Sequence, residues 1–366
     1  MLINNIALKN FRNIKELKVT FDKPLTILYG DNGQGKTNIV ESIYLLSNAS
    51  SFRTSYFKEL ISNDSDYATV EGEINSNRKK DKHKLVLSKS GKSVFINDVV
   101  INKVSEYIGK FNAVCFCPED VSLFKDSPSI RRHFLDKELS SLFPIYIKQL
   151  IAFKNTLEQR NALLKGKIDY DLLEVIDDKL IESSYDVYKR RKWLIDKIIE
   201  FATSIYKTIT NDSQQIKIVY NTYLDEMSKD EYLVKAKQIY KNALSKDVEK
   251  KYTNIGIHKD DFKVYLNDLE IDMFASQGQQ RLISLSMKLA VSEIITKANK
   301  QEPIIILDDA FSELDKIKKV KLFDYVSKKQ QVFITCTDYK NIIGLNCKNI
   351  TLLHIHEGNV IERGSI

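Results

Sequence analysis

The segment LTILYGDNGQGKT, residues 25–37, constrains the fold more strongly than any other part of the sequence. Its first residues form a short apolar run that ends in glycine, as a buried strand does. The rest matches the spacing G-x-x-x-x-G-K-[ST] and leads into TNIVESIYLLSN, where apolar side chains recur at helical spacing. A strand, a glycine-rich loop and a helix in this order predict a nucleotide site rather than a plain glycine turn.

Each fixed position of this loop has a chemical role. Glycines allow the backbone to curl so that several N–H groups point at phosphate, and the helix that follows adds the positive end of its dipole. Lys36 supplies a positive charge to the β- and γ-phosphates, and the hydroxyl of Thr37 can ligate Mg²⁺. We therefore predict that the nucleotide contacts Gly30, Asp31, Asn32, Gly33, Gln34, Gly35, Lys36, Thr37 and Asn38.

A second part of the same site is predicted by IIILDD, residues 304–309. A continuous run of β-forming apolar residues is typical of a strand buried on both faces, and ligands of open α/β sheets bind at the carboxyl ends of the strands. We predict that Asp308 holds Mg²⁺, directly or through water, and that Asp309 orients or deprotonates the attacking water. Together with Lys36 they form the predicted catalytic set. The simpler alternative is that two acids after a strand only begin a turn.

The stretch ASQGQQR, residues 275–281, stands at the start of another helical pattern. Ser276 can cap that helix, and Gly278 lets the backbone come close to a phosphate. Together with Gln279, these residues present a helix N-terminus as a second anion site. An ordinary helix cap would use the same serine, and the two interpretations are compatible.

Chain length and residue patterning predict an inserted helical lobe. The 366 residues exceed what one hydrophobic core usually covers. β-Type alternation occurs near both ends, whereas residues 130–250 contain almost no glycine and repeat apolar residues seven apart, as in an antiparallel helical hairpin. We predict a first lobe with the phosphate loop and a β-rich subdomain (1–128), a helical lobe (129–250) and a C-terminal part that completes the first lobe (251–366).

The composition narrows the class of protein. The net charge of +7 is a mild basic excess that is compatible with nucleic acid as a partner but does not require it. The four cysteines form no CxxC pair and indicate reduced, buried thiols. The N-terminal residues lack the apolar region of a signal peptide, and no apolar run approaches the length of a membrane span. We therefore expect a cytoplasmic protein without a membrane partner.

The order of these motifs resembles that of ATP-binding-cassette ATPase heads, with a phosphate loop, a Ser-x-Gly-x-Gln signature before a helix, an apolar strand with paired acids, and SELD at residues 312–315. Longer stretches, among them SSFRT, CFCPEDVSLFKDSPSIRRHFLD, GIHKDDF and ILDDAFSELD, resemble the RecF family of bacterial recombination mediators. These stretches extend over most of the α/β material at both ends. The resemblance implies an α/β fold, an ATP-binding-cassette ATPase head (a P-loop NTPase) made from the N- and C-terminal segments, with an inserted, mainly helical lobe.

The resemblance also implies an activity and partners. ATP and Mg²⁺ would be the cofactors of an ATP-dependent head-to-tail homodimer, in which the Lys36 loop of one copy holds ATP while Ser276 and Gly278 of the other close over the γ-phosphate. Slow, DNA-stimulated hydrolysis would make ATP a switch for holding double-stranded DNA. The family acts at single-strand gaps and at junctions of single- and double-stranded DNA. It works with RecR in the RecO pathway and helps to load the RecA recombinase in DNA replication, repair and the SOS response.

Three positions depart from the wider cassette pattern. Asp309 stands where most members carry glutamate, and its shorter side chain is compatible with slow turnover. Thr337 stands where many members carry a switch histidine. In place of the usual glutamine after a strand the chain has CPED, so that Glu119 or Asp120 could fill that role.

Basic residues supply further candidates. Arg12, in NFRN near the N-terminus, could reach the nucleotide phosphates, as the related motif implies, and a surface salt bridge is the alternative. Two basic runs could contact the phosphates of duplex DNA, one in a predicted loop at residues 77–84 and one in the helical lobe, although a solvated surface explains each run equally well. The candidate DNA contacts are Arg78, Lys79, Lys80, Lys189, Arg190, Arg191 and Lys192.

Two other classes of protein share the motifs. A nucleotide-binding subunit of a membrane transporter would normally carry the switch histidine and would lack a helical hairpin of this length. A chromosome-organising ATPase of the SMC type needs very long coiled-coil arms, and the segment between Thr37 and Ser276 is too short for them. The sequence therefore favours a DNA-repair ATPase.

Overall fold

The computed structural model of the chain describes residues 1–76, 79–340, 342 and 349–365. Its strands are β1 (Leu2–Phe11), β2 (Ile14–Thr20), β3 (Leu25–Tyr29), β4 (Tyr67–Ser76), β5 (Lys79–Ser88), β6 (Gly91–Ile96), β7 (Val99–Ile101), β8 (Ala113–Phe116), β9 (Ile216–Asn221), β10 (Asp261–Leu266), β11 (Leu269–Glu270), β12 (Ile304–Asp308), β13 (Val332–Cys336), β14 (Ile350–His356) and β15 (Asn359–Ser365).

Its helices are α1 (Lys36–Asn48), α2 (Val104–Tyr107), α3 (Ser122–Lys125), α4 (Pro128–Leu142), α5 (Pro144–Lys165), α6 (Tyr170–Thr210), α7 (Lys229–Lys250), α8 (Ile271–Phe274), α9 (Gln277–Asn299) and α10 (Lys316–Val326). Short 3₁₀ helices span Phe57–Leu60 and Pro118–Val121. Over the described ranges, the helices are all too short or too polar to cross a membrane. Strands near both ends and helices between them agree with the predicted α/β fold.

The chain folds as two compact units. The first unit joins the two ends of the chain, and the second is mainly helical. The first comprises Met1–Val121, Glu200–Gln214 and Ser276–Ile366, and the second comprises Ser122–Ile199 and Gln215–Ala275.

Helix α1 lies between two six-stranded sheets of the first unit. One sheet is antiparallel, with strand order β2-β1-β4-β5-β6-β7, and the other has the order β15-β14-β3-β13-β12-β8. In α1 the apolar side chains of Ile39 and Ile43 join one core with Ile6 of the antiparallel sheet and Ile306 of the second sheet. Packing on both sides therefore fixes the start of α1, and with it the loop before this helix.

The second sheet is parallel apart from its edge strand β15. Its strands β8, β12 and β13 are buried along their whole length, which is why they are continuous apolar runs in the sequence. Strand β13 lies between β3 and β12, so that Tyr29 pairs with Cys336 and Thr335 pairs with Asp308. The loop after β3 and the acids after β12 consequently meet at the same edge of the sheet.

The predicted pair of long helices is present: α5 and the part of α6 up to Ile199 belong to the second unit, whereas residues 200–210 of α6 belong to the first, although the sequence predicted them in the helical lobe. Helix α5 ends at Lys165, just before Gly166, and α6 continues to Thr210. The buried guanidinium of Arg160 pairs with Asp177 at 2.5 Å and with Asp247 at 2.7 Å, and so ties α5 to α6 and α7. A buried ion pair of this kind is costly to break, because either partner alone would leave an unpaired charge.

Residues 251–275 belong to the second unit, although the sequence predicted them in the C-terminal part of the head. Strand β10 pairs with β9 along six residue positions from Asp261 to Leu266. Arg131 at the start of α4 also holds Asp261, with 2.6 Å between Nε and Oδ1. Strand pairing between segments distant in sequence therefore sets this boundary.

The basic segment 77–84 was predicted to be a loop, but Lys79–Ser88 form β5. Within this strand His83 faces the core, while Lys84 faces outward and pairs with Glu71 of β4 at 2.7 Å. Lys79, Lys80 and Lys82 are all exposed, and alternation with buried residues begins at His83, so the charge run is the solvated end of a strand.

The imidazole of His83 is buried in the first unit. Its Nδ1 lies 3.0 Å from the hydroxyl of Tyr107, and that hydroxyl donates its proton to the carbonyl of Leu46. The hydroxyl therefore accepts a hydrogen bond from His83, and Nδ1 carries the ring proton. Burial lowers the pKa of His83 to about 4.

We expect the free energy of unfolding to fall as the pH is lowered from about 6.5 to about 4. Over this window an unfolded histidine takes up a proton while folded His83 stays neutral, so protonation favours the unfolded chain. A His83→Gln variant keeps an N–H donor but does not titrate, and its stability should depend less steeply on pH. Urea unfolding at several pH values measures both slopes, and equal slopes would show that His83 does not contribute.

Candidate nucleotide site

The loop after β3 has the backbone conformation of a phosphate cradle. Gly30, Gly33 and Gly35 have φ angles of 137°, 81° and 103°, a region that favours glycine. At Gly30 a Cβ atom would also collide with the carbonyl oxygen of Ile355. In the described structure no side chain caps the N-terminus of α1, which follows directly. The first N–H groups of this helix are therefore available to an anion.

Lys36 is buried in this loop. Its Nζ donates to the carbonyl oxygens of Gly30 and Asp31, both at 2.7 Å. Burial lowers the pKa of Lys36 below its ordinary value, and the nearby carboxylates of Asp308 and Asp309 oppose that shift. Two of the three N–H donors are thus used to hold the ammonium group within the loop.

Two threonine hydroxyls meet on one carboxylate oxygen of Asp308. Thr37 Oγ1, at the start of α1, donates to Asp308 Oδ1 at 2.9 Å. Thr335 Oγ1, on β13, donates to the same oxygen at 2.6 Å. The structure therefore brings together the two residues that the sequence predicted as magnesium ligands, although they lie far apart in the chain.

The environment of Asp308 suits a cation. Burial raises the pKa of Asp308, and the hydrogen bonds from Thr335 and Thr37 oppose the rise. A hydroxyl oxygen and a carboxylate oxygen at 2.9 Å are the hard donors that Mg²⁺ prefers, and a divalent cation would compensate the charge of the buried carboxylate. The residues present therefore fit the magnesium ion that the motifs imply.

Asp309 adopts a backbone conformation that is unusual for a residue with a side chain. Its φ is 49°, in the left-handed region. Its N–H donates to Thr335 Oγ1 at 3.0 Å, and its carbonyl accepts a hydrogen bond from Arg281. Its carboxylate is half exposed, at 49%. Of the two adjacent acids, Asp308 is therefore buried, whereas solvent or a ligand can reach Asp309.

Glu119 and Asp120, the candidates for the glutamine position, have different surroundings. Asp120 pairs with Lys288 at 3.3 Å and accepts a hydrogen bond from the N–H of Cys117. Glu119 is exposed, and its charge adds to the effect of burial in raising the pKa of Asp308. Asp120 is thus held by partners of its own, whereas Glu119 faces solvent, and a role of either residue in place of the glutamine stays a prediction.

Arg12 lies in an ion pair beside the phosphate loop. Its guanidinium contacts the buried carboxylate of Glu41, with 2.7 Å between Nη2 and Oε1. Arg53 contacts the other oxygen of Glu41 at 3.4 Å and also donates to Asn38 Oδ1 at 2.9 Å. One buried carboxylate on α1 thus holds two arginines near the first turn of that helix. A contact between Arg12 and phosphate remains a prediction.

The signature residues form the N-terminus of α9. Ser276 and Gln279 make a capping box, in which each side chain accepts the other residue's backbone N–H, at 3.3 Å to Ser276 Oγ and 3.0 Å to Gln279 Oε1. A Cβ at Gly278 would have no heavy atom within 4 Å in the described structure. The helix start is consequently capped and also open on the side of Gly278.

Arg191 is not a surface cation, and the prediction that it contacts DNA is wrong. Its side chain is 3% exposed, and it pairs with Asp136 at 2.9 Å. It also donates to the carbonyl of Ile257 at 2.9 Å. A guanidinium held this way cannot reach a phosphate unless the second unit opens.

The other members of that run face outward to different degrees. Arg190 is half-buried, with its guanidinium 4.7 Å from the ring centre of Phe143. Lys192 is also half-buried and pairs with Asp225 at 3.4 Å. Lys189 is exposed. Of the run, Lys189 is the residue most accessible to a polyanion.

The candidates on the antiparallel sheet are exposed but already paired. Lys79 contacts Asp81 at 3.3 Å, and Lys80 contacts Glu73 at 2.8 Å. The lysine side chains are 74% and 67% exposed, so solvent screens both pairs and phosphate can compete for the lysines. Arg78 lies outside the described residues.

A surface depression of about 460 Å³ adjoins the phosphate loop. It is bordered by residues 13–16, the loop residues Gly33 and Gln34, and the turn at residues 357–359. The N–H of Gly358 donates to the carbonyl of Gln34 at 2.8 Å, so this turn supports the loop. Its place beside the phosphate loop makes the depression a candidate position for the sugar and base of a nucleotide.

The glycine-rich loop, the buried lysine and the acidic strand end define the class of this protein as a P-loop nucleotide-binding head of the ATP-binding-cassette type. The model of the RecF/RecN/SMC N terminal domain matches residues 2–358. The chain therefore belongs to this family, and the relatives place it among the RecF proteins.

The relatives are similar to this chain over almost its full length. The DNA replication and repair protein RecF of Bacillus cytotoxicus is 36% identical, over 98% of this chain and 98% of its own length. Its counterpart from Clostridioides difficile is 38% identical over 99% and 98%. A solved structure of the recombination mediator protein RecF with ATP, in the RecFOR pathway, matches with a TM-score of 0.89 at 31% identity and covers 99% of both chains. The Smc head domain from Pyrococcus furiosus has the same fold, with a TM-score of 0.56 at 16% identity, covering 100% of this chain and 96% of that one.

Three residues at the site were missed by the sequence analysis. Glu41, Thr335 and Arg281 each act through a partner that is distant in sequence. Glu41 is a carboxylate on the apolar side of α1, and Thr335 is a hydroxyl inside the apolar run of β13. A polar residue at a position predicted to be buried indicates a buried partner, and this pattern could have identified both residues. Arg281 ends the stretch ASQGQQR and resembles an ordinary helix-surface residue.

We expect a Thr335→Val variant to lose about 1–3 kcal/mol of stability, because it leaves the buried carboxylate of Asp308 and the N–H of Asp309 each without one partner. Valine has nearly the same shape, so the packing of β13 should change little. Thr335→Ser keeps the hydroxyl and loses one methyl group, and should lose at most about 1 kcal/mol. Urea unfolding followed by circular dichroism measures both variants, and equal losses would argue against the hydrogen bonds.

Proposed function

We propose that this protein is an ATP-dependent DNA-binding switch of recombinational gap repair. The observation that carries the proposal is the contact of Thr37 with Asp308 at 2.9 Å beside the phosphate loop that holds Lys36. Membership of the RecF proteins supports the DNA-repair role, and one similar structure is described with ATP.

Mg²⁺ held by Thr37 and Asp308 would neutralise charge on the β- and γ-phosphates. Lys36 holds a fixed positive charge at those phosphates, and the backbone N–H groups of the loop and of α1 bind their oxygens. Asp309 is accessible and orients the attacking water. Its side chain is one methylene shorter than the usual glutamate, which supports slow hydrolysis.

The signature residues act in a second copy of the chain. Ser276 Oγ accepts the N–H of Gln279, and a hydroxyl can still donate its own proton to a phosphate oxygen. Gly278 allows the backbone close to that phosphate. ATP held by the Lys36 loop of one copy therefore joins the two heads, and hydrolysis releases them.

Duplex DNA and its junctions with single strands are the proposed polyanion. Lys79, Lys80 and Lys189 are the accessible members of the two basic runs and are proposed to contact backbone phosphates. Contacts of this kind give affinity without sequence preference. A switch at DNA gaps would act in the cytoplasm, with RecR and the RecO pathway as partners and with loading of RecA as its outcome.

We expect the chain to bind gapped duplex DNA more tightly with ATP and Mg²⁺ than without, and to hydrolyse ATP faster when DNA is present. The affinity should fall steeply with salt, because phosphate contacts release counterions. Lys36→Arg should abolish hydrolysis, since a planar guanidinium cannot replace the ammonium that donates to Gly30 and Asp31. Phosphate release and fluorescence anisotropy measure the two activities.

Lys237→Arg is the matched control for that substitution. Lys237 is exposed on the second unit and pairs with Asp178, so its replacement by arginine should leave both activities at the wild-type level. DNA that neither stimulates hydrolysis nor binds in an ATP-dependent way would contradict the proposal. Wild-type turnover in Lys36→Arg would contradict the assignment of the loop.

We expect Ser276→Arg to bind ATP normally but to form no ATP-dependent dimer, because the added side chain blocks the approach to the partner's phosphate. Ser228→Arg is the control, since Ser228 forms a capping box of the same kind with Glu231 at the start of α7. Both variants lose a cap worth about 1 kcal/mol, so a difference between them reports on the site. Both substitutions are made in an Asp309→Asn background, which slows hydrolysis, and light scattering in the presence of ATP measures the dimers. Dimers of the Ser276→Arg variant would contradict the head-to-tail arrangement.

A further inference from the structure

The guanidinium of Arg281 connects helix α9 with the acidic loop after β12. Its side chain is nearly buried, although it stands only five positions after the capping serine. Its Nη2 donates to the carbonyl of Asp309 and, at 3.2 Å, to Ser312 Oγ. Its Nη1 pairs with Glu313 at 3.0 Å. One side chain thus binds several positions of the loop that follows Asp308.

The backbone conformation of Asp309 needs contacts that hold it in place. Its φ of 49° is a conformation that residues with a side chain rarely adopt, and it persists only where the surroundings hold it. Thr335 holds the N–H of Asp309 at 3.0 Å, and Arg281 holds the carbonyl. The carboxylate lies 3.7 Å from Nη2 of Arg281, so the same guanidinium also limits where the side chain points.

We infer that Arg281 is a positioning residue for ATP hydrolysis, which fixes Asp309 of its own chain to the helix whose N-terminus carries Ser276. This inference rests on the proposed function. In the dimer, Ser276 meets the phosphate bound by the partner, whereas Asp309 serves the nucleotide of its own loop. Arg281 then connects, within one chain, the residue that meets the partner's nucleotide with the acid that serves the chain's own.

Substitution of Arg281 tests the inference through turnover. Lysine retains the charge but is a single point donor, which cannot bridge the carbonyl, hydroxyl and carboxylate groups that the planar guanidinium contacts. We expect Arg281→Lys and Arg281→Ala to lower kcat for ATP hydrolysis by about tenfold or more, with KM for ATP changed by less than about threefold. Binding of a fluorescent ATP analogue should remain at the wild-type level.

A double substitution separates positioning from a general loss of structure. If Arg281 acts through the carboxylate of Asp309, then Arg281→Lys should reduce kcat by less than about twofold in the Asp309→Asn background. Independent effects would instead multiply. Arg363→Ala is the matched control, because Arg363 is a surface arginine of the same unit that pairs with Asp22, and its loss should leave kcat unchanged.

The measurements use ATP and Mg²⁺ without DNA, and circular dichroism checks that each variant is folded. If the alanine variant does not fold, the lysine variant decides. Wild-type kcat in Arg281→Lys, a rise in KM without a fall in kcat, or an equal fall in the Asp309→Asn background would each overturn the inference. A wild-type chain that hydrolyses ATP but does not bind DNA contradicts the proposed function alone, and the comparison of variants still decides the role of Arg281. A wild-type chain that does not hydrolyse ATP contradicts both.

Discussion

One carboxylate oxygen, Oδ1 of Asp308, joins strands β12 and β13 of the parallel sheet to the start of helix α1. It accepts the hydroxyl of Thr37, which follows β3, and the hydroxyl of Thr335, which stands on β13 between β3 and β12. Because Asp308 is buried, its charge is tolerated only with such partners. A shift of one strand against another would leave this carboxylate unsatisfied. The relative positions of the phosphate loop and the acidic pair therefore depend on this set of hydrogen bonds.

The same strands explain why the site needs both ends of the chain. Strand β3, near the N-terminus, is hydrogen-bonded on one side to β14 and on the other to β13, both from the C-terminal segment. The turn after β14 then supports the phosphate loop through the contact of Gly358 with Gln34. The cradle is thus local in sequence, whereas the groups that hold it in place are not. The second unit can be a separate insertion because both ends already meet in this sheet.

Patterns that depend on neighbouring residues could be predicted from the sequence, and contacts between distant residues could not. The phosphate loop and the acidic strand end are local, and they were predicted together with the fold. The run 189–192 contains four cations in sequence, but a helix presents successive residues in different directions, so that Arg191 is buried while Lys189 is exposed. The burial of Arg191 depends on Asp136, which the run itself does not reveal. The assignment of residues 251–275 failed for the same reason, since β9 and β10 are distant in sequence.

In the proposed dimer the stretch ASQGQQR has two roles, because its groups have separate tasks. The lone pairs of the Ser276 hydroxyl accept the N–H of Gln279 and cap the helix, while its proton remains able to bind an anion. About one turn further along α9, the guanidinium of Arg281 donates to the carbonyl of Asp309 in the loop after β12. Capping makes the first turn of α9 rigid, and a rigid turn is needed if a displacement at Ser276 is to reach Arg281 without being absorbed by local fraying. The cap is therefore a physical requirement of the proposed connection between the two nucleotide sites and not an alternative to it.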